Sequence, residues 1–424
     1  MKSTPLLEIE KAVQRIAQEL DLDLSNIANE KRLQDIIRNE VDSWQQSHHE
    51  HALSDDTKTF IESRISKNIC GYGPLDSLLT DSSVWEVMVN SHDSIFVRRH
   101  GRPTTFHTEV FHDSEHLRRT IARILLDNGI NQRKLEPAYG VQDAQVYGGS
   151  RLHVVHEDLT KDGTLVVNIR KFTGTANRSL DELTRRNMIS PEAANFLINV
   201  QEIHPSIIFA GAPGSGKTTL LGALASELPS DTRVVIAEEV LETQISLPNV
   251  AHLQTRPSRP DRPGVDLRTL VGAFLRMSPD LAVVGEVRDK EALPFVLTLT
   301  SGIPGYTTIH ASSARSALAR LRLLVQISGH QIPFNAVTQL VTDAVDIVVH
   351  CVRIKGVPRV SEICCVEDST SGSESPTFTT TTIFSIDADT DNLTATGQFP
   401  QRLRDKGKTF DFDLDPYLKI GTKE

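Results

Sequence analysis

Apolar residues in the first 66 positions recur near the helical period: Leu6, Leu7, Ile9, Val13 and Ile16, then Leu33, Ile36, Ile37 and Val41 after the turn-like Asp23-Leu24-Ser25-Asn26. The spacing predicts a helical N-terminal region over 1–66. Between 67 and 175 the pattern shortens to β-rich runs (VWEVMVN, SIFVRR, RLHVV and TLVVNIRKF), broken by Gly-Arg, Gly-Gly-Ser and Lys-Asp-Gly turns, with one helix near His116 to Leu126. This reads as an α+β domain. A helical linker over 176–200 is opened at Ser190-Pro191-Glu192 by a helix-start signal. From 201 to 366 buried-strand runs (SIIFAG, RVVIAE, LAVVGE, YTTIHA) alternate with helical ones (TTLLGALASEL, LRTLVGAFLRM, ARSALARLRLLV), which predicts an α/β domain on a parallel sheet. Residues 367–424 form a C-terminal extension that starts with a Ser/Thr-rich stretch, STSGSESPTFTTTT, too polar for a core and expected to be a flexible loop.

Composition narrows the function classes. The 424-residue chain has a formal charge of −10, so it lacks the clustered Lys and Arg that contact nucleic-acid phosphates. Nucleic acid is therefore disfavoured as a partner. Cys70, Cys351, Cys364 and Cys365 form neither a disulfide framework nor a metal-binding pair, and read as reduced thiols. The N-terminus, MKSTPLLEIEKAV, carries glutamates where a signal peptide needs an apolar stretch, and no apolar run approaches the ~18 residues of a membrane span. The expectation is a cytoplasmic protein that reaches the membrane through a partner. His48, His49, Glu50 and His51 read as a solvated loop.

The chemical signal lies at Gly211-Ala212-Pro213-Gly214-Ser215-Gly216-Lys217-Thr218, which fits GxxxxGK[ST] and falls between an apolar strand and a helix start. Glycines let backbone N–H groups curve around phosphate at a helix N-terminus, Lys217 reaches β- and γ-phosphates, and the Thr218 hydroxyl can hold Mg²⁺. Thr219 either faces phosphate or packs. Glu238 and Glu239 close one predicted strand, with Glu242 following, and Glu286 closes another. Ligands of open α/β sheets bind at such carboxyl ends, where acids can position metal and polarise water. His310 ends a further strand and is a candidate γ-phosphate sensor, although for a lone histidine a structural role is the stronger reading.

The motifs GYGPLDSLL, VWEVMVN, GGSRLHVV, TLVVNIRKF, GAPGSGKTTLL, AEEVLE, LQTRP, LRMSPDLAVVGEVR and GYTTIHASS stand in one order along the chain. Together they resemble the traffic ATPases of type II/type IV secretion, nearest to the Flp/Tad pilus assembly branch. The resemblance implies a RecA-like P-loop ATPase domain preceded by a PAS-like α+β domain and an N-terminal helical bundle. It gives Gly211 to Thr218 the role of the Walker A loop, Glu238, Glu239 and Glu242 that of the acidic box, Gly285 and Glu286 that of Walker B, and Gly302 to His310 that of the His box. It further implies ATP and Mg²⁺ as ligands, with Thr218, Glu239 and Glu286 on the metal side and either Glu238 or Glu286 orienting the attacking water. Arg151 and Arg170 become phosphate-facing residues. A homo-hexamer driving an inner-membrane pilus or secretion platform is the implied assembly. A conjugation or effector-secretion ATPase shares these motifs, a nucleic-acid ring motor is disfavoured by charge, and a nucleotide-gated switch is disfavoured by the acids.

Overall fold

The computed structural model describes residues 5–20, 22, 30–99, 102–127, 134–146, 150–171, 179–256, 258, 262–328, 331–369, 377–387 and 391–418. They fall into two compact units, Met1–Thr173 and Gly174–Glu424.

The first unit opens with α1 (Pro5–Glu19), α2 (Glu30–Ser47) and α3 (Asp55–Cys70). Ile9, Val13, Leu33, Ile37, Val41, Ile61, Ile65 and Ile69 form their common core, each burial contributing roughly 1.5–3 kcal/mol. Ser54 caps α3 by accepting a hydrogen bond from the Thr57 amide. There follow α4 (Asp76–Thr80), β1 (Val84–Ser91), β2 (Ser94–Arg99), β3 (Thr105–Phe106), α5 (Ser114–Asp127), β4 (Val141–Val146), β5 (Ser150–Val155) and β6 (Val166–Arg170). The strands form one sheet, ordered β3-β2-β1-β6-β5-β4, and every pairing is antiparallel. Strand alternation sends Val87, Val89, Val97, Leu152, Val154, Val167 and Ile169 into a core with Leu117, Ile121 and Ile124 of α5. The charged set Arg98, Glu86, Arg170 and Arg151 falls on the alternate positions.

The second unit contains α6 (Leu180–Arg185), α7 (Pro191–Asn199), β7 (Ile207–Gly211), α8 (Lys217–Ala225), β8 (Val234–Glu238), β9 (Val250–Gln254) and α9 (Leu267–Gly272). It continues through β10 (Leu281–Val284), α10 (Ala292–Thr300), β11 (Gly305–Ile309), α11 (Ala314–Ile327), α12 (Phe334–Ala344) and β12 (Ile347–Ile354). Its last elements are β13 (Val357–Ser369), β14 (Phe378–Ile386), β15 (Leu393–Ala395), α13 (Gln401–Thr409) and α14 (Asp415–Leu418). One nine-stranded sheet runs β15-β14-β13-β12-β7-β11-β10-β8-β9. It is parallel from β12 to β9 and antiparallel from β12 to β15. The parallel strands are apolar on both faces because both are covered: Ile207, Phe209, Val234 and Ile236 enter one core, and Ile208, Ala210, Val235 and Ala237 the other.

Three boundaries differ from those the sequence predicts. The N-terminal helices and the α+β segment belong to one unit. Where a linker was expected, α6 and α7 bury Leu180, Leu183, Ala193, Phe196 and Leu197 in the core of the second unit, with Ser179 and Ser190 as N-caps. No boundary exists at 366, because β13 passes through it and β14 pairs with β13 using Phe378 to Thr382 of the Ser/Thr-rich stretch. Residues 370–376 of that stretch lie outside the described residues. The extension supplies Ile383, Phe384, Leu393, Leu403, Leu414 and Leu418 to the core. Buried Asp346 fixes it to the start of β7, accepting from the Ser206 amide at 2.8 Å and from Lys406 Nζ at 2.8 Å.

Candidate functional site

The loop between β7 and α8 has the conformation its glycines predict. Gly211, Gly214 and Gly216 have φ of 148°, 71° and 90°, where side chains are rarely tolerated. Space reinforces the choice at Gly211, whose Cβ would come within 2.1 Å of the Cys351 carbonyl oxygen. Gly214 lies beside Arg353, with Nη1 3.2 Å from the position a Cβ would take, and Gly216 is packed beneath Met188 and Pro358. Ala212 and Pro213 are exposed, while Thr218 and Thr219 occupy the first turn of α8, half-buried. Ser215 Oγ is buried and has no hydrogen-bond partner among the described residues.

Lys217, only 6% exposed, donates from Nζ to the Ala212 carbonyl at 2.9 Å and stands 3.3 Å from His310 Nδ1. The other nitrogen of His310, Nε2, is 3.1 Å from Glu286 Oε1. His310 Nδ1 also lies 3.2 Å from the Gly211 carbonyl oxygen, so the ring touches the glycine loop, Lys217 and Glu286 together. Lys217, His310 and Glu286 thus form a continuous polar chain across the carboxyl ends of β7, β11 and β10. The loop after Glu286 is held by buried Glu291, whose Oε1 accepts from the Arg288 and Asp289 amides at 2.6 and 2.9 Å.

Glu238, at the end of β8, is 3% exposed. Its Oε1 accepts from the Thr243 hydroxyl at 2.7 Å, the Thr243 amide at 2.9 Å and the Glu242 amide at 3.3 Å, whereas Oε2 is buried without a partner among the described residues. Burial pushes this carboxyl up to about 7, outweighing the hydrogen bonds from Thr243 and Glu242 that pull the other way. A carboxyl with such a proton affinity can exchange a proton at neutral pH. Glu239, which the resemblance places on the metal side, makes an ion pair with Arg288.

Arg151 and Arg170 lie in the first unit as directly opposed partners on β5 and β6. Arg151 makes a long contact of 3.5 Å to Asp143, and Glu86, the β1 partner of Arg170, is engaged by Arg98 at 2.8 Å. Sequence reasoning missed Arg353, Glu291 and Met188. None carries a local motif, and each reaches the site only through strand order or a loop's return.

The loop fits a phosphate group on two counts. Its glycines leave a cradle that a Cβ would fill, and the Ser215 hydroxyl is buried there with no hydrogen-bond partner among the described residues.

The profile of the type II/IV secretion system protein family matches residues 70–366, spanning both units. The chain belongs to this family. Curated relatives include the type IV secretion system protein VirB11 of Bartonella quintana, 25% identical over 74% of this chain and 95% of its own length. A putative conjugal transfer protein of Mycobacterium tuberculosis is 29% identical over 74% of this chain and 90% of its own. The conjugal transfer protein TrbB of Rhizobium radiobacter is 28% identical over 68% and 85%. Among solved structures, the VirB11 ATPase of Brucella suis in complex with sulphate matches with a TM-score of 0.36 and 27% identity, over 68% of this chain and 94% of that one. Among the described residues no helix is long and apolar enough to cross a membrane.

Proposed function

We propose that this family member is an Mg²⁺-dependent ATPase that powers transport through a membrane-bound secretion or pilus platform, acting as a homo-hexamer. The observation that carries the reading is the buried Lys217, set in the glycine loop and linked through His310 to Glu286. Family membership and relatives named as secretion and conjugal transfer proteins support it.

In this reading the loop from Gly211 to Thr219 holds the phosphates, with Lys217 leaving the Ala212 carbonyl for the β- and γ-phosphates. Thr218 and Glu286 hold Mg²⁺, which when bound neutralises phosphate charge. Glu238 orients the attacking water and takes its proton, because its free oxygen and near-neutral proton affinity suit a general base. His310 keeps Glu286 oriented and reports its position to Lys217. Arg151 and Arg170 supply positive charge to the transferring phosphoryl group. Directly opposed like charges cost stability in a sheet, and a shared anion removes that cost.

Two kinds of machinery are compatible with the site. The motif set favours Flp/Tad pilus assembly, and the relatives' names favour a type IV secretion or conjugation channel at least as strongly. The enzymatic core of the proposal is tested by Lys217→Ala. It is expected to lose hydrolysis by roughly 10²–10³-fold with the fold intact; hydrolysis at the parent rate would refute the site.

A further inference from the structure

Far along the sequence from the nucleotide loop, four polar side chains of the first unit converge in a buried cluster. Glu10 lies on α1 and is 2% exposed, Asn68 lies on α3 and is 7% exposed, His112 precedes α5, and His116 lies in its first turn and is 2% exposed. One ligand atom from each of Glu10, His112 and His116 falls within 4.8 Å of the other two.

The hydrogen bonding of the cluster is incomplete. Asn68 Nδ2 donates to Glu10 Oε2 at 2.7 Å, and the same oxygen lies 2.8 Å from His112 Nε2. Asn68 Nδ2 is also 3.1 Å from that nitrogen. A proton on His112 Nε2 satisfies Glu10 but opposes the Asn68 amide, and it leaves two further atoms stranded. His116 Nε2 and Asn68 Oδ1 are both buried without a partner among the described residues. They face common space, since a Cβ on Gly73 would stand 3.3 Å from the first and 3.1 Å from the second. Two orphaned polar atoms in one buried pocket destabilise the fold unless something fills it.

The donor set itself suits a cation. The buried cation nearby, Arg64, is neutralised by Glu109 at 2.6 Å. Two imidazoles and a carboxylate, with an amide oxygen to close the set, are N/O donors that suit Zn²⁺ rather than Mg²⁺. The long contact of 3.4 Å from the His112 amide to His116 Nδ1 is what ligation would surrender, since ligation through Nε2 moves the ring proton to Nδ1.

We propose that Glu10, His112 and His116, with Asn68 Oδ1 completing the set, form a structural zinc site that staples α1 to α3 and to the start of α5. Binding would order the N-terminal helices, because a site assembled from three separate segments exists only in the folded unit.

The test is Zn²⁺ titration of the full, chelator-treated chain, with Co²⁺ absorption as a report on coordination and amide exchange of α1 as a report on ordering. The parent should bind one ion tightly with slower exchange in α1, and His116→Gln and the near-isosteric Glu10→Gln should each weaken binding by about 100-fold or more. Replacing His48, His49 and His51 by alanine should leave the tight site intact. Circular dichroism identifies any variant that fails to fold; should His116→Gln fail, Glu10→Gln decides. No tight binding by the parent, tight binding unchanged in the folded variants, or its loss only in the His48/His49/His51 variant would each overturn the proposal, leaving a protonated, hydrated cluster.

Discussion

Gly285 has no side chain because Glu238 occupies its place: a Cβ on Gly285 would lie 2.7 Å from Glu238 Cγ and 2.8 Å from Oε1. The two residues end neighbouring strands, β10 and β8, so the glycine that precedes Glu286 is the floor on which Glu238 rests. Gly285→Ala should therefore displace the carboxylate at a stability cost of about 1–3 kcal/mol. Turnover should fall more than nucleotide affinity, since the glycine loop is untouched. Thermal melts, kcat and nucleotide binding measured together check this, and an unchanged kcat would dissociate Glu238 from the chemistry.

Glu238 also makes stability and activity depend on pH in opposite directions. Its folded proton affinity is raised to about 7 from an ordinary 4.5, so between those values the native state retains a proton the unfolded chain has released. Its contribution is fully present below pH 4.5 and is lost as pH rises through about 7. Glu238→Gln removes this dependence, and relative to the parent it should gain on the order of 3 kcal/mol between pH 4.5 and neutrality, read from urea melts. Parent turnover should rise through about pH 7 as the base loses its proton, while the variant stays near background.

The opposed pair Arg151 and Arg170 predicts a separation of stability from activity. Removing one of two like charges in register should leave the fold unharmed or stabilise it by up to about 1 kcal/mol. The same Arg170→Ala change should lower kcat by 10-fold or more, on the order expected for loss of an arginine that stabilises phosphoryl charge. A loss of stability with full turnover would instead make the pair structural.

Local patterns in the sequence reveal much of this architecture, while its long-range pairings stay hidden. The glycine loop, the strand ends at Glu238 and Glu286, and His310 after β11 are each readable because the spacing sits within one strand-turn unit. The run LRTLVGAFLRM reads as one helix but divides into α9 and a short 3₁₀ turn at Phe274–Arg276, after Gly272 weakens the helix. The Ser/Thr-rich stretch reads as a flexible loop because its own residues are polar, and only the pairing of Phe378 to Thr382 with β13 makes part of it a strand. The ion pair between Glu239 and Arg288 joins the ends of two different strands and so leaves no local pattern in the sequence. Glu10 and His112 are 102 positions apart, so only the folded unit brings them together.

The central claim is that the chain turns over ATP at the site built around Lys217, His310 and Glu286, and that this site matures in an oligomer. The most direct test is the Mg²⁺-ATPase rate per subunit across a protein dilution series, with Glu286→Gln beside the parent. The account predicts a rate that rises steeply with protein concentration and collapses in the variant while nucleotide still binds. A rate that is negligible at every concentration, or that survives unchanged in Glu286→Gln, would contradict it.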